Sequence, residues 1–262
     1  MKRQAVVKGI LIGVLTLLFV SCGKDAAGTL KKMMPAGAES EVQAVEQQPY
    51  ERYRNATEET EETEETVESE EEQVSELKEY FEKLTLQYVE SDDAACWAAL
   101  SPNCGEIEAS GKSCIAPFLL IYSPTLDPIL CVGFNRIGDD YLEMDAMEVH
   151  TDEYIYTYGA FDYDVQKDKI TLSSDHSEKT EELGLKFARD GETDLLVDML
   201  ADILESKTVT LRFEKFDTAK PEWDECEMPE ADRQAIIDVL NAYYLYLNAS
   251  NIARAKAIAS FE

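Results

Sequence analysis

The chain is poor in positive charge. Its 262 residues include 24 Lys and Arg against 54 Asp and Glu, which gives a formal net charge of −30. A surface with this excess of carboxylates repels phosphate groups. We therefore predict that the protein binds no nucleic acid and does not attach to anionic lipid headgroups through its folded surface. This charge balance is typical of a well-solvated exported protein, and it does not identify a partner.

Histidine is also scarce, and the motifs of common catalytic sites are missing. The two histidines are His150 and His176. The chain contains neither G-x-S-x-G nor H-E-x-x-H, and no two cysteines are separated by two residues, as they are in many zinc sites. We therefore predict no catalytic residue, no metal site and no cofactor. A Ser/His/Asp or Cys/His site would have to be assembled entirely by the fold.

One long apolar run is present, near the N-terminus. Gly9–Val20 carries no charge and follows a basic start that includes Arg3. The run is shorter than the roughly 20 residues that a helix needs to span a bilayer. A basic start, a short apolar core and the small residue Ser21 together predict a secretory signal peptide over residues 1–21.

The end of this segment, Phe19-Val20-Ser21-Cys22, resembles the lipobox of bacterial lipoproteins. The family usually has Leu where this chain has Phe19. The resemblance implies that the leader is removed and that Cys22 carries lipid on its sulfur. The lipid would hold the protein on a membrane of the bacterial cell envelope, facing away from the cytoplasm. More than one acyl chain is needed, because a single chain binds only marginally. The alternative is an ordinary cleaved signal in which Cys22 is incidental.

Five further cysteines follow the leader: Cys96, Cys104, Cys114, Cys131 and Cys226. Export permits disulfides, and an odd number leaves at least one thiol outside any bridge within the chain. We predict a disulfide between Cys104 and Cys114, because it would close the glycine-containing loop between them. The other pairings stay open, and an anaerobic host would leave all five reduced.

Residues 22–73 show no hydrophobic period. Ala, Gly, Gln and Glu dominate, and Glu58–Thr66 repeats Glu-Glu-Thr three times. Like charges at this density repel and leave nothing apolar to bury, so we predict a lipid anchor followed by a disordered acidic linker. Such a linker of about 50 residues would span roughly 40 Å. The alternative is an acidic tail that binds cations or a basic partner.

Residues 74–262 are predicted to form a single α+β domain, in which an antiparallel sheet is covered by two or three helices. Apolar residues spaced by three and four predict helices near 74–90, 192–206 and 229–248. Asp92 or Asp93, as an N-cap, predicts a short helix at 94–100. Apolar or alternating runs predict the sheet between about 115 and 216. Its strands are expected at 117–122, 129–134, 142–149, 154–158, 183–187 and 208–216, with a hairpin at 161–172 that turns at Gln166-Lys167-Asp168.

Three tyrosines stand out in the strand at 154–158. Tyr154, Tyr156 and Tyr158 are spaced by two, which places them on one face of the strand. Tyrosine has an apolar ring and a polar tip, so this face suits a sugar or peptide ligand. The alternative is a half-buried sheet under a helix. Residues 158–172 are also similar to the Tyr-strand, turn and strand units of lipocalin-like exported bacterial domains, which implies a hairpin but not a barrel.

These features favour a non-catalytic, lipid-anchored envelope protein of binding or interaction type, with an unknown ligand. The first alternative is a hydrolase of envelope polymers. The second is a structural lipoprotein that binds another membrane protein.

Overall fold

The computed structural model describes residues 30–33, 69–90, 95–104, 112–122, 125–159, 165–171, 177–187, 192–215, 220 and 222–261. Within these ranges the chain forms eleven strands and four helices, which confirms the α+β class. The helices are α1 Glu70–Phe81, α2 Glu192–Glu205, α3 Glu230–Asn248 and α4 Asn251–Ile258. The strands are β1 Leu30–Met33, β2 Thr85–Glu90, β3 Ala95–Leu100, β4 Cys114–Tyr122, β5 Pro128–Gly138, β6 Ala146–His150, β7 Ile155–Gly159, β8 Val165–Thr171, β9 Ser177–Phe187, β10 Thr210–Lys215 and β11 Glu222–Glu227.

The strands form two antiparallel sheets rather than the one that we predicted. Sheet A has the order β1-β7-β6-β10-β11, and sheet B has the order β2-β3-β4-β5-β9-β8. The predicted hairpin of two apolar runs is confirmed, since β4 pairs with β5 from Cys114 opposite Asn135 to Ile121 opposite Pro128. Alternation along each strand says which residues share a face, but it does not say which strands share a sheet.

The sheets and helices share one apolar core. Helix α3 lies against β3, β4 and β5 of sheet B, while α2 contacts both α3 and β1. Sheet A turns one face toward this core, and that face carries Met147, Val149, Tyr156, Tyr158, Leu211 and Phe213. The predicted alternation of the strand at 208–216 is therefore confirmed, with Leu211 and Phe213 on the buried side.

The central strands of sheet B are apolar on both faces. A second buried cluster contains Cys96, Ala98, Leu100, Phe118, Leu120 and Cys131. These residues pair across the strands in register, for example Ala98 with Leu120 and Phe118 with Cys131. Burial on both faces explains why β4 reads as a continuous apolar run instead of an alternating one.

The predicted helix at 74–90 is correct as far as Phe81 and wrong beyond it. Leu84 and Tyr88 continue the helical spacing, but residues 85–90 form β2, which pairs with β3. The helix predicted at 94–100 is also wrong, because this segment is β3 in the interior of sheet B. Tyr88 packs on Trp97 across the two strands with ring centroids 5.2 Å apart. Pairing and packing with neighbouring strands outweigh local helix propensity here.

Two strand boundaries also differ from the prediction. Residues 142–145 lie outside β6, and Glu143 has a φ of 61°, which interrupts an extended run. The turn expected at Gln166-Lys167-Asp168 lies inside the continuous strand β8, which pairs along its length with β9. Asp168 is compatible with a turn, but pairing of the whole stretch with β9 keeps it extended. The hairpin predicted at 161–172 is therefore wrong, because its expected turn lies within a single strand; residues 161–164 and 172 lie outside the described residues.

Three elements were not predicted. Strand β1 lies inside the stretch 22–73 that we expected to lack regular structure, and α1 begins three residues before its end. Ser69 caps α1 by accepting from the backbone N–H of Glu72, whose carboxylate accepts from the backbone N–H of Ser69. Strand β11 contains four acidic residues besides Trp223 and Cys226, and α4 is short, so neither produces a strong hydrophobic period.

A buried ionic cluster joins the two sheets. Glu181 of β9 is fully buried and accepts from the backbone N–H groups of Leu142 and Met144 at 2.7 and 3.1 Å. Arg136 of β5 lies 3.2 Å from Glu181 and 3.0 Å from Asp224 of β11. The guanidinium therefore bridges a carboxylate of sheet B and a carboxylate of sheet A.

Candidate functional site

The tyrosines that we proposed as a ligand face lie in the core. Tyr156 and Tyr158 are buried on the inner face of sheet A, and Tyr154 is partly buried, with its ring centroid 6.4 Å from that of Tyr156. The hydroxyl of Tyr156 donates a hydrogen bond to Asp202 of α2. Burial, reinforced by Asp202, raises the pKa of Tyr156. The prediction of a tyrosine ligand face is wrong, and the alternative of a sheet packed under a helix is correct.

The opposite face of sheet A is the candidate functional site, and we call it the outer face. Register brings its residues into rows across the strands: Thr157, Glu148, Arg212 and Glu225 form one row. Ile155, His150, Thr210 and Glu227 form the next row on one side, and Ala146, Glu214 and Trp223 form the row on the other side. None of these side chains is fully buried, in contrast to the inner face. The face is thus a partly exposed surface, assembled from strands that lie far apart in the chain, and its central side chains are 27% (Arg212), 21% (Glu148) and 13% (Glu214) exposed.

Charged side chains interact closely at its centre. The Nε2 atom of His150 lies 2.6 Å from Oε2 of Glu148. Arg212 is 4.0 Å from the same carboxylate oxygen, and its Nε lies 2.7 Å from Oε1 of Glu214. Arg212 thus lies between Glu148 of the adjacent strand β6 and Glu214 of its own strand β10, and the pair with Glu148 is a favourable cross-strand pair of opposite charges. Burial and then the charge of Glu148 raise the pKa of Glu214, although Arg212 and His150 oppose this shift.

Aromatic and apolar groups lie at the edges of the outer face. Trp223 of β11 is 55% exposed, and the guanidinium carbon of Arg212 lies 4.7 Å from the centre of its ring. Met33 of β1, at the other edge, is 49% exposed and is aligned with Ile155. A cation against one side of an indole is a stabilising contact that holds the ring in place. An exposed Trp beside an Arg is a combination enriched at binding hot spots.

The arrangement offers groups for binding and one pair for acid–base chemistry. General acid–base chemistry could use His150 and Glu148, which are within hydrogen-bonding distance. Electrostatic catalysis gains most where water is excluded, whereas water reaches both members of this pair, whose side chains are 31% and 21% exposed. The partial exposure of the pair favours recognition of a ligand over its chemical conversion.

The structure contains no bond between Cys104 and Cys114. Both cysteines are buried, and the Sγ of Cys104 lies 4.0 Å from the carbonyl oxygen of Pro117. The prediction of a Cys104–Cys114 bridge is wrong for this structure. Cys96, Cys131 and Cys226 form no disulfide in the structure either. Burial, followed by the nearby charge of Asp224, raises the pKa of the Cys226 thiol to about 11, so this sulfur is a poor nucleophile.

Several predicted features lie outside the described residues. These include Cys22, with the lipobox and leader, and His176. Within the residues that the structure does describe, no three His, Cys, Asp or Glu side chains are grouped closely enough to hold a metal ion. Over the same residues, no helix is both long and apolar enough to cross a membrane.

Sequence reasoning missed most of the outer face. The alternation of 208–216 predicts a buried side with Val209, Leu211 and Phe213, whereas Arg212 and Glu214 occupy the other side. Trp223 lies in a strand without a hydrophobic pattern, so no periodicity identified it. A useful signal would have been an isolated Trp in an otherwise acidic segment.

No protein-family model matches the chain, and neither a curated protein nor a solved structure matches it.

Proposed function

We propose that this protein is a non-catalytic, lipid-anchored protein of the bacterial cell envelope that binds a cationic segment of a partner protein through the outer face of sheet A. The observation that carries the binding proposal is the exposed Trp223 beside the Glu148, Arg212 and Glu214 cluster. The lipid anchor is proposed from the resemblance of residues 19–22 to a lipobox.

The charge of the outer face favours a cationic ligand. The outer face carries four carboxylates, those of Glu148, Glu214, Glu225 and Glu227, against Arg212 and, by register, Lys31, and the chain as a whole carries a net charge of −30. A potential of this sign attracts and steers positively charged partners and repels negatively charged ones. Lys and Arg side chains would reach the carboxylates, and the free side of the Trp223 ring would accept an apolar or cationic side chain.

The shape of the surface favours a protein segment over a small molecule. Small ligands are usually held in concave sites that bury most of their surface. The outer face is one face of a five-stranded sheet, with exposed Trp223 near one edge and exposed Met33 near the other. Four strand spacings of about 4.8 Å separate these edges, or roughly 19 Å. An extended peptide of about six residues covers that distance.

Trp223 provides an intrinsic reporter of binding. The chain has two tryptophans, and Trp97 is buried whereas Trp223 is exposed. Acrylamide quenching of the intact protein in detergent therefore reports mainly on Trp223. We expect synthetic peptides that alternate Lys or Arg with apolar residues to protect the indole from quenching. Peptides of the same length with Glu in place of Lys, and neutral glycans, should not protect it.

Matched variants test the location of the site. Trp223→Ala and the pair Glu148→Gln with Glu214→Gln should each weaken binding of the cationic peptide, measured by calorimetry. Tyr88→Ala removes another exposed aromatic, on the edge of sheet B, and should leave binding unchanged. Protection by glycans instead of cationic peptides would assign a different ligand class to the face. Protection by neither would contradict the proposal.

The proposed anchor is tested independently. Mass spectrometry of the protein from its native membrane should find the leader removed and acyl chains on Cys22, and Cys22→Ser should release the protein from the membrane. The same membranes allow a crosslinking search for the partner, which separates binding to a membrane protein from binding to a soluble one.

A hydrolase remains the second candidate because His150 and Glu148 form a close pair. Turnover of an envelope polymer by the native protein, lost in both His150→Ala and Glu148→Gln, would select the hydrolase. Peptide binding without turnover would select the interaction protein.

A further inference from the structure

We infer that strand β1 holds the folded domain close to the membrane, so that the acidic stretch 34–68 joins two parts of the domain instead of spacing the domain from its anchor. This inference rests on the proposed lipid at Cys22. It changes the expected distance between the membrane and the outer face, because this distance is then limited by the residues between Cys22 and β1.

The evidence is the pairing of β1 with sheet A. Leu30–Met33 aligns antiparallel with β7, from Leu30 opposite Tyr158 to Met33 opposite Ile155. Helix α2 also contacts β1, so β1 is held both by this helix and by the neighbouring strand β7. Without β1, β7 would be the edge of sheet A, with a row of unpaired backbone groups. Hydrogen bonds from β1 to these backbone groups stabilise its pairing with β7.

The position of β1 in the chain sets the reach. Leu30 follows Cys22 by eight residues. Fully extended, this length spans at most about 29 Å, and as a flexible coil it averages roughly 15 Å. A linker that continued to residue 73 would instead average roughly 40 Å and could extend several times farther. Pairing of β1 therefore shortens the average span of the flexible chain between Cys22 and the domain by more than half.

The topology also places the two edges of sheet A at different distances from the anchor. Strand β1 lies at one edge, and β11, which carries Trp223, lies at the other. The edge nearest the anchor is thus the one with Met33, and Trp223 is separated from it by the width of the sheet. The sheet itself carries Trp223 away from the point of attachment.

The same flexible insert at two places distinguishes a connecting loop from a spacer. Sixteen Gly and Ser residues are inserted either after Ala26, before β1, or after Thr60, within the acidic stretch. The full-length proteins are reconstituted in phosphatidylcholine vesicles, with a donor dye on Ile252→Cys, an exposed position of α4. Cys226→Ser removes the thiol that is only partly buried. Acceptor dyes on the lipid headgroups then report the height of the domain.

We expect the insert after Ala26 to lower energy transfer and the insert after Thr60 to leave it unchanged. A similar loss with both inserts would overturn the inference, because the acidic stretch would then act as a spacer. No loss with either insert would overturn it too, because the chain before β1 would then not set the height.

A disulfide trap tests β1 separately from the anchor. Lys31 and Thr157 are partners in register, so Lys31→Cys with Thr157→Cys should form a bridge under mild oxidation, detected by mass spectrometry. The single variant Lys31→Cys is the control. A bridge in protein that lacks lipid on Cys22 would show that β1 is paired while the proposed anchor is wrong. Absence of the bridge would overturn the inference even if Cys22 is lipidated.

Discussion

Asp232 combines full burial with an incompletely hydrogen-bonded carboxyl group. It is fully buried in the first turn of α3, and its Oδ2 accepts from the backbone N–H of Ile115 at 2.8 Å. Its Oδ1 has no hydrogen-bond partner within the described part of the chain. Burial raises the pKa of Asp232 to about 7, although the N–H of Ile115 opposes the shift. The carboxyl group therefore changes its protonation near neutral pH.

The raised pKa predicts that stability falls as the pH rises from about 4 to about 7. In this window the folded state holds a proton that the unfolded state, with a pKa near 3.9, has lost. The loss is at most about 1.4 kcal/mol per pH unit. Asp232→Asn keeps an acceptor for Ile115 and cannot ionise, so its stability relative to the natural protein should increase from pH 4 to pH 7. Urea unfolding at several pH values measures the difference.

Glu225→Gln removes one negative charge from an exposed position and serves as the control. It should not change the slope of stability against pH between 4 and 7. If plots of unfolding free energy against pH run parallel for Asp232→Asn and the natural protein, Asp232 is ionised throughout this range.

The Glu181 carboxylate leads to a second prediction at the same scale. Glu181→Gln should lower the free energy of unfolding by about 2–4 kcal/mol, because it weakens a buried ion pair and two bonds from backbone N–H groups. Lys83→Gln breaks a pair with Glu79 whose side chains are 62% and 75% exposed, and it should cost less than about 0.5 kcal/mol. Equal costs in denaturant unfolding would contradict this difference.

At the scale of elements, local sequence patterns correctly predicted the helices and strands whose tertiary contacts favour the same secondary structure as their local sequence does. Helices α2 and α3 and the β4–β5 hairpin were predicted near their observed bounds. Residues 85–90 were predicted as helix because Leu84 and Tyr88 continue the spacing of α1, and residues 94–100 were predicted as a separate short helix. The β2–β3 pairing that decides their state depends on β4, the neighbour of β3 in sheet B. That information is not present in a window of fifteen residues.

The junction of α3 and α4 depends on one buried side chain. Arg254 donates from Nε to the carbonyl of Tyr246 at 2.7 Å and from Nη2 to the carbonyl of Leu247 at 2.6 Å. These carbonyls end α3 and have no partner within the helix. Arg254→Met should therefore cost about 2–3 kcal/mol and speed hydrogen exchange in α4. Lys256→Met, at an exposed position of α4, should change exchange little, and equal effects would contradict the capping role.

At the scale of the whole molecule, the candidate site could not be predicted from the sequence because it is a property of register. Glu148 and Arg212 become neighbours only when β6 pairs with β10, and Trp223 joins them through β11. No local pattern links these three segments. The acidic net charge was readable from composition, and it predicted the sign of the potential on this face but not its position.

The net charge and the local contacts should act on different rate constants of binding. Long-range attraction by a chain of net charge −30 accelerates the approach of a cationic peptide, whereas contacts at Trp223 hold the complex together. Raising the salt from 0.1 to 1 M shortens the screening length from about 10 Å to about 3 Å, so the association rate constant should fall by roughly tenfold or more. Trp223→Ala should instead raise the dissociation rate constant at constant salt. Stopped-flow measurements separate the two effects. An association rate constant that does not respond to salt would show that the charge of the chain has no part in recognition.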